Sequence, residues 1–77
     1  MHDVTAVEYI DGYRLRLTFD DGKVGVVDLT TSLWGPVFEP LLDVEYFKLV
    51  KVDKELGTIC WPNGADLAPE VLYEKVR

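Results

Sequence analysis

The stretch from Gly57 to Tyr73, Gly-Thr-Ile-Cys-Trp-Pro-Asn-Gly-Ala-Asp-Leu-Ala-Pro-Glu-Val-Leu-Tyr, limits what this chain can fold into more than any other. Thr58, Ile59, Cys60 and Trp61 suit a half-buried pleated surface. Pro62 cannot donate to a sheet ladder, so this strand is expected to end at Trp61. Trp61-Pro62-Asn63-Gly64 reads as a β-turn, with Pro62 pre-setting φ at the second position and Asn63 or Gly64 taking a positive φ. A helix is predicted from Pro69, with Ala68 extended before it. Leu67, Ala68, Val71, Leu72 and Val76 fall on one helical face, and Glu70, Tyr73, Glu74 and Arg77 on the other. Glu70 lies near the positive end of the helix dipole, Lys75 and Arg77 near the negative end. So short a helix is not stable alone. Its apolar face is expected to dock on a sheet beside the fifth strand, with Trp61 and Leu72 as a structural pair.

The upstream half supplies that sheet. Met1 to Asp3 is expected to fray. Val4 to Ile10 reads as a first strand with Thr5, Val7 and Tyr9 on one face, and Asp11-Gly12 as a hairpin turn. Tyr13 to Phe19 has the cleanest alternation, Tyr13, Leu15, Leu17 and Phe19 facing one way, Arg14, Arg16 and Thr18 the other. Asp20-Asp21-Gly22 makes a second turn. Lys23 to Asp28 is a third strand with Val24 and Val26 predicted inward and Gly25 on the other face. An antiparallel meander follows.

The middle is less regular. Asp28 is placed to cap a helical turn through Leu33. Trp34-Gly35-Pro36 interrupts it, and Pro40 keeps the next turn, Pro36 to Leu42, short. Asp43 caps another through Phe47. This bracket is expected to lap over a sheet edge and insert Trp34, Phe38, Leu41 and Phe47 into the core. Lys48 to Asp53 is a fourth strand. Its apolar phase changes between Leu49 and the Val50, Val52 pair, suggesting a bulge or burial on both faces. Lys54 to Gly57 turns the chain into the fifth strand, Thr58 to Trp61. The fold class is small α+β: three meander strands, then two more, short helical turns between, and a C-terminal helix packed on the sheet.

Seventy-seven residues make one domain, 1–77. A chain of this size buries only about 60% of its unfolded surface, which leaves a thin core margin. The formal charge of −6 disfavours a phosphate backbone as partner. One cysteine excludes an internal disulfide and a cysteine-rich zinc site, and fits a reducing compartment. With no apolar run of membrane-spanning length and no signal peptide, a cytoplasmic protein with no membrane partner is expected.

The chain resembles the bacterial domain-of-unknown-function family 2442 over nearly all its length. The resemblance rests on Tyr13 to Gly22 (Tyr-Arg-Leu-Arg-Leu-Thr-Phe-Asp-Asp-Gly), Val27-Asp28-Leu29, Leu42-Asp43 and Phe47. Above all it rests on the run from Trp61 to Tyr73. It implies a small α+β fold and no catalytic residues. Some members of that family carry a helix-turn-helix domain after this one, and many lie beside another small uncharacterised protein, an arrangement that has invited toxin–antitoxin proposals. The resemblance therefore implies a partner-binding module.

The residues themselves disclose no reaction. His2 with Asp3 is too little for zinc, which takes three or four protein ligands. Cys60 has no histidine beside it and reads as a buried structural thiol. No catalytic constellation, metal site or cofactor is expected. Three readings remain. The first is a protein-interaction or regulatory module, in its narrower form half of a toxin–antitoxin-like pair, whose acidic surface would capture a basic protein partner; a homodimer stays open. Trp34 and Phe38 are its candidate interface, balanced against their closing the core. The second is a small-ligand-binding or enzymatic domain using Trp61, Asn63 and Asp66, where the alternative is that Asn63 makes the turn and Asp66 bonds nearby amides. The third is nucleic-acid binding through Arg14 and Arg16, near Lys48 and Lys51, against which cross-strand ion pairs explain the arginines more simply.

Overall fold

The computed structural model describes residues 2–76, so the expectations placed on Met1 and Arg77 lie outside the described residues. Strands β1 (Val4–Asp11), β2 (Arg14–Phe19) and β3 (Val24–Asp28) form one antiparallel sheet in that order. Strands β4 (Lys51–Asp53) and β5 (Thr58–Cys60) form a second, two-stranded sheet. Short helices connect them: 3-10 turns at Thr30–Ser32 and Glu39–Leu42, then α1 (Val44–Phe47). Helix α2 (Pro69–Lys75) closes the described chain. The architecture is the α+β one expected.

The alternation of β2 works as predicted: Leu15, Leu17 and Phe19 are buried, Arg14 and Arg16 exposed. The turn after it decides what happens on β3. Gly22 N–H donates to the Phe19 carbonyl and Phe19 N–H to the Lys23 carbonyl, both at 2.9 Å, with Gly22 at φ 90°. That is a type I turn closed by a glycine bulge. It sets Phe19 across from Lys23, and so Leu17 across from Gly25 and Leu15 across from Val27. Residues directly opposite share a face. Val27 and Gly25 therefore point inward, while Val24 and Val26 point out, 55% and 40% exposed. The expected phase of this strand is inverted.

Gly25 is inward for a reason. A Cβ there would lie 2.1 Å from Val76 Cγ1, so the glycine is the seat of the C-terminal segment. Gly25→Ala is expected to cost about 1–3 kcal/mol as overpacking, because Val76 must leave its rotamer or the helix end must lift. Val76→Ala in the same chain should recover part of the loss. Urea denaturation of both single variants and the double checks this; fully additive losses would show that the two sites do not meet.

On β1 the ladder slips between Val4 and Ala6. The slip lets Val4, buried, and then Val7 and Tyr9 pack on the same core, and leaves Thr5 exposed. Strand β4 is shorter than expected because Lys48 and Leu49 still belong to the turn of α1, donating to Val44 and Tyr46 carbonyls at 3.0 Å each. Leu49 is therefore exposed, which accounts for the phase change without a bulge.

The bracket caps as the sequence suggests at Asp43, whose Oδ1 accepts from Glu45 N–H at 3.0 Å. Asp28 instead takes the Thr30 amide and hydroxyl, with Leu29 at the cap position. Leu41 and Phe47 are fully buried and Phe38 packs half-buried against the core. Trp34 is outside, 77% exposed, and Leu33 fills the core instead.

Helix α2 starts at Pro69 behind an extended Ala68, ψ 132°. Leu72 and Val76 are buried, but Val71 is 45% exposed and Tyr73 packs on the core in its place. The cause is where the helix docks. The Tyr73 ring meets Phe19 edge-on at 5.0 Å and its hydroxyl donates to Asp21 Oδ2 at 2.7 Å. The contacts of α2 thus run to the β2–β3 hairpin, whereas the Trp61 ring lies on Phe47 at 5.7 Å. Trp61 and Leu72 share one core, but the docking expected beside the fifth strand is instead onto this hairpin. The start of the chain is held too: His2 stacks on Tyr73 at 3.7 Å, its amide donates to Glu70, and Asp20 N–H donates to the Asp3 carbonyl.

The Tyr73 hydroxyl first, then the Lys23 amide, hold the Asp21 carboxyl below the usual carboxylate range, and Asp21 raises the Tyr73 phenol. A depressed carboxyl stabilises the fold above its unfolded pKa, near 3.9, and that stability is lost as pH falls through the folded value. A raised phenol stabilises below about 10 and loses this as pH rises through the folded value. The stability difference between wild type and Tyr73→Phe should thus be widest between about pH 4 and pH 10 and shrink on both sides. Denaturation across pH measures it; a pH-independent difference would dissociate the hydroxyl from Asp21.

Candidate functional site

The loop proposed for recognition is built into the fold. Gly64 N–H donates to the Trp61 carbonyl at 2.9 Å and Trp61 N–H to the Ala65 carbonyl at 3.0 Å, with Gly64 at φ 87°. This repeats the geometry of the turn at Gly22. Trp61 is 2% exposed and its indole N–H donates to the Phe47 carbonyl at 2.9 Å, so it faces no ligand. Asn63 Oδ1 accepts from Ala65 N–H at 3.1 Å, while its Nδ2 donates to the Val37 carbonyl at 2.9 Å. Asp66 is exposed and bridges Cys60 through the backbone. Of the three residues, Trp61 is buried while Asn63 and Asp66 are exposed. One cleft, about 170 Å³, lies among Asp3, Val4, Thr5, Val52, Lys54 and Gly57. It is well below the roughly 300 Å³ at which small-molecule sites begin.

The arginine face is neutralised. Arg14 places Nε and Nη2 on the two oxygens of Asp11 at 2.8 and 2.7 Å, and Arg16 reaches Glu8 at 2.7 Å. Lys48 pairs with Glu45 at 3.3 Å. The Arg14 guanidinium holds the Asp11 carboxyl below its ordinary range. The Thr30 hydroxyl and amide do the same for Asp28. Glu8 and Arg16 are direct cross-strand neighbours, so these are pairs on a solvated sheet face.

Trp34 is the residue that stands out. The segment carrying it is pinned at several points. Phe38 and Glu39 amides donate to the Gly35 carbonyl at 3.1 and 3.0 Å. Asn63 holds Val37, and the Tyr13 hydroxyl donates to the Leu42 carbonyl. Phe38 and Leu41 anchor it from inside. The outside presents Trp34, with Val37 53% and Leu42 47% exposed. An indole this open on a fixed loop can bury a large apolar area against a second surface. The sequence reading named Trp34 and Phe38 but missed Val37 and Leu42. The signal was present, since Phe38 and Leu41 are a helical turn apart and their immediate neighbours must point away.

Among the described residues no cluster of three or more His, Cys, Asp or Glu side chains could hold a metal ion, and Cys60 is buried. No helix among them is long and apolar enough to cross a membrane.

The structure thus defines a small α+β domain with an exposed aromatic on a pinned loop. The chain belongs to the family described as protein of unknown function (DUF2442), which matches residues 4–77. Its fold is also that of the crystal structure of a putative DNA-binding protein from Nitrosomonas europaea, at TM-score 0.85 and 31% identity. That match covers 99% of this chain and 49% of the other, so this chain spans about half the length of its structural relative. No curated protein matches the sequence.

Proposed function

We propose that residues 1–77 act as one protein-interaction domain, engaging a partner through Trp34 and the apolar residues beside it. The observation that carries this reading is the 77% exposure of Trp34 on a segment held by Asn63 and Tyr13. The formal charge of −6 supports a basic partner, whose association would slow with added salt. A regulatory pair of toxin–antitoxin type is the finer form of the same proposal, and a cytoplasmic setting accords with one buried cysteine. Trp34→Ala should leave stability within about 0.5 kcal/mol and abolish partner capture. Parallel affinity capture with wild type and the variant, each checked by denaturation, tests this. Equal enrichment of the same basic protein by both would remove the site.

A second reading is favoured by the name of the Nitrosomonas protein: nucleic-acid binding. In this chain it would need Arg14 and Arg16 to leave Asp11 and Glu8. Low-salt anisotropy with duplex DNA, wild type against Arg14→Ala/Arg16→Ala, tests it; binding unchanged in the variant rejects that face.

A further inference from the structure

We infer that β3 is a self-pairing edge, through which two copies of this chain join their three-stranded sheets into one six-stranded sheet. The surface is distinct from the Trp34 segment. In the ladder with β2, Phe19 N–H bonds the Lys23 carbonyl and Leu29 N–H bonds the Tyr13 carbonyl. Hydrogen-bonded pairs alternate along an antiparallel ladder, so Lys23, Gly25, Val27 and Leu29 turn their backbone groups toward β2. Val24, Val26 and Asp28 turn theirs to the open edge. Among the described residues no other backbone bond reaches them.

Exposed edges are normally blunted by bulges, prolines, central charges or a covering element. The opposite edge of this sheet has two of these. Strand β1 carries two register shifts, and it packs against β4 and β5, with Val4 N–H donating to the Gly57 carbonyl at 2.9 Å. Strand β3 has none. Its ladder is regular, and Val24-Gly25-Val26-Val27 contains neither proline nor charge. Instead its solvent face shows Val24 and Val26, 55% and 40% exposed.

The pattern suits a second copy. Antiparallel pairing must set the edge-facing residues opposite one another. With the two-fold axis at Gly25, Val24 lies across from Val26 of the second copy, and Val26 across from its Val24. Four β-branched side chains then form one apolar strip on the solvent face. Gly25 meets Gly25 on the inner face, where each copy's own Val76 already covers the glycine. Asp28 stays at the margin. Shifting the axis to Val26 would set Asp28 against Val24, a poorer match. A two-strand seam is small beside standard interfaces of about 1,600 Å² in total, so the dimer is expected to be concentration-dependent.

Sedimentation equilibrium of the wild-type chain, over a concentration series up to millimolar, should show mass rising from 8.8 kDa towards twice that value. Val26→Lys, which adds charge on a solvent-facing edge position, should hold the mass at the monomer with unchanged circular dichroism. Val71→Lys, at a valine of similar exposure on α2, should dimerise like wild type. Hydrogen exchange on wild type gives a measurement independent of any variant: Val24, Val26 and Asp28 amides should gain protection as concentration rises. A strictly monomeric wild type, a Val26→Lys chain that dimerises equally, equal loss in Val71→Lys, or edge amides indifferent to concentration would each overturn the proposal. None of these readouts depends on Trp34.

Discussion

Trp61→Ala is expected to leave little or no folded protein at room temperature. The side chain is among the largest fully buried ones, and truncating a buried tryptophan typically costs about 3–5 kcal/mol in transfer and cavity terms. Here a second loss adds to the first. The indole N–H is the closer of two donors to the Phe47 carbonyl at the end of α1, at 2.9 Å against 3.3 Å for the Val50 amide, so truncation also removes the better of its hydrogen bonds. At roughly 0.05–0.15 kcal/mol per residue, a domain of this size has a total stability of about 4–12 kcal/mol. The loss is thus comparable with the whole. Trp61→Phe separates the two contributions, since it keeps an aromatic ring against Phe47 but removes the donor. It should cost less than Trp61→Ala and still unfold earlier in urea than wild type. A Trp61→Ala chain that melts like wild type would mean that the turn at Pro62 holds without the indole.

The two tryptophans show how far this fold can be read from residues alone. Trp61 precedes a proline turn, and turns are where recognition residues often sit. Its burial depends on Phe47, fourteen residues away along the chain, offering both a ring and a carbonyl. No local pattern reports such a pairing. Trp34 has the opposite fate. It is as apolar as its neighbours, and counting apolar residues in the bracket places it inside. What excludes it is geometry: Gly35 at φ 90° turns the chain, and Leu33 already occupies the core position. Both indoles are candidates in the sequence, and what separates them, burial of Trp61 and exposure of Trp34, depends on contacts that local pattern does not report.

The meander was legible for physical reasons that also explain its one inversion. The strict period of β2 and the turn at Asp20-Asp21-Gly22 are short-range signals that appear where expected, whereas the first turn falls one residue later than its Asp-Gly pair, on Gly12 and Tyr13, with Asp11 still in β1 and paired with Arg14. The phase of β3 is also determined locally, by the glycine bulge at Gly22 that sets Leu17 across from Gly25. Counting valines overrode that register. A glycine between valines reads as a gap on the solvent face, whereas here it is the floor on which Val76 rests. That contact lies far along the chain and leaves no trace near Gly25. The same blindness shifted the face of α2, because Tyr73 becomes a core residue only once Phe19 and Asp21 are beneath it.

Leu72→Ala is the second large expected loss. Leu72 is fully buried and is the one buried residue within the seven of α2. A helix of two turns has almost no stability of its own, so its order depends on this docking. Removing the isopropyl end of the side chain should cost about 2–5 kcal/mol, the spread reflecting how far the site can collapse. Collapse is restricted here. The Gly25–Val76 contact fixes one end of the segment, and the Tyr73 hydroxyl on Asp21 fixes its middle. The expected value is therefore in the upper half of that range, leaving the domain marginal. Val71→Ala is the sharper comparison than any charged-surface change. It removes nearly as much apolar volume from the adjacent residue, yet Val71 is 45% exposed and should cost about 1 kcal/mol or less. Chemical denaturation of the two variants decides the orientation of the helix. Equal losses would mean that both faces are covered, and with Val71 open in this chain the cover would have to come from a second molecule.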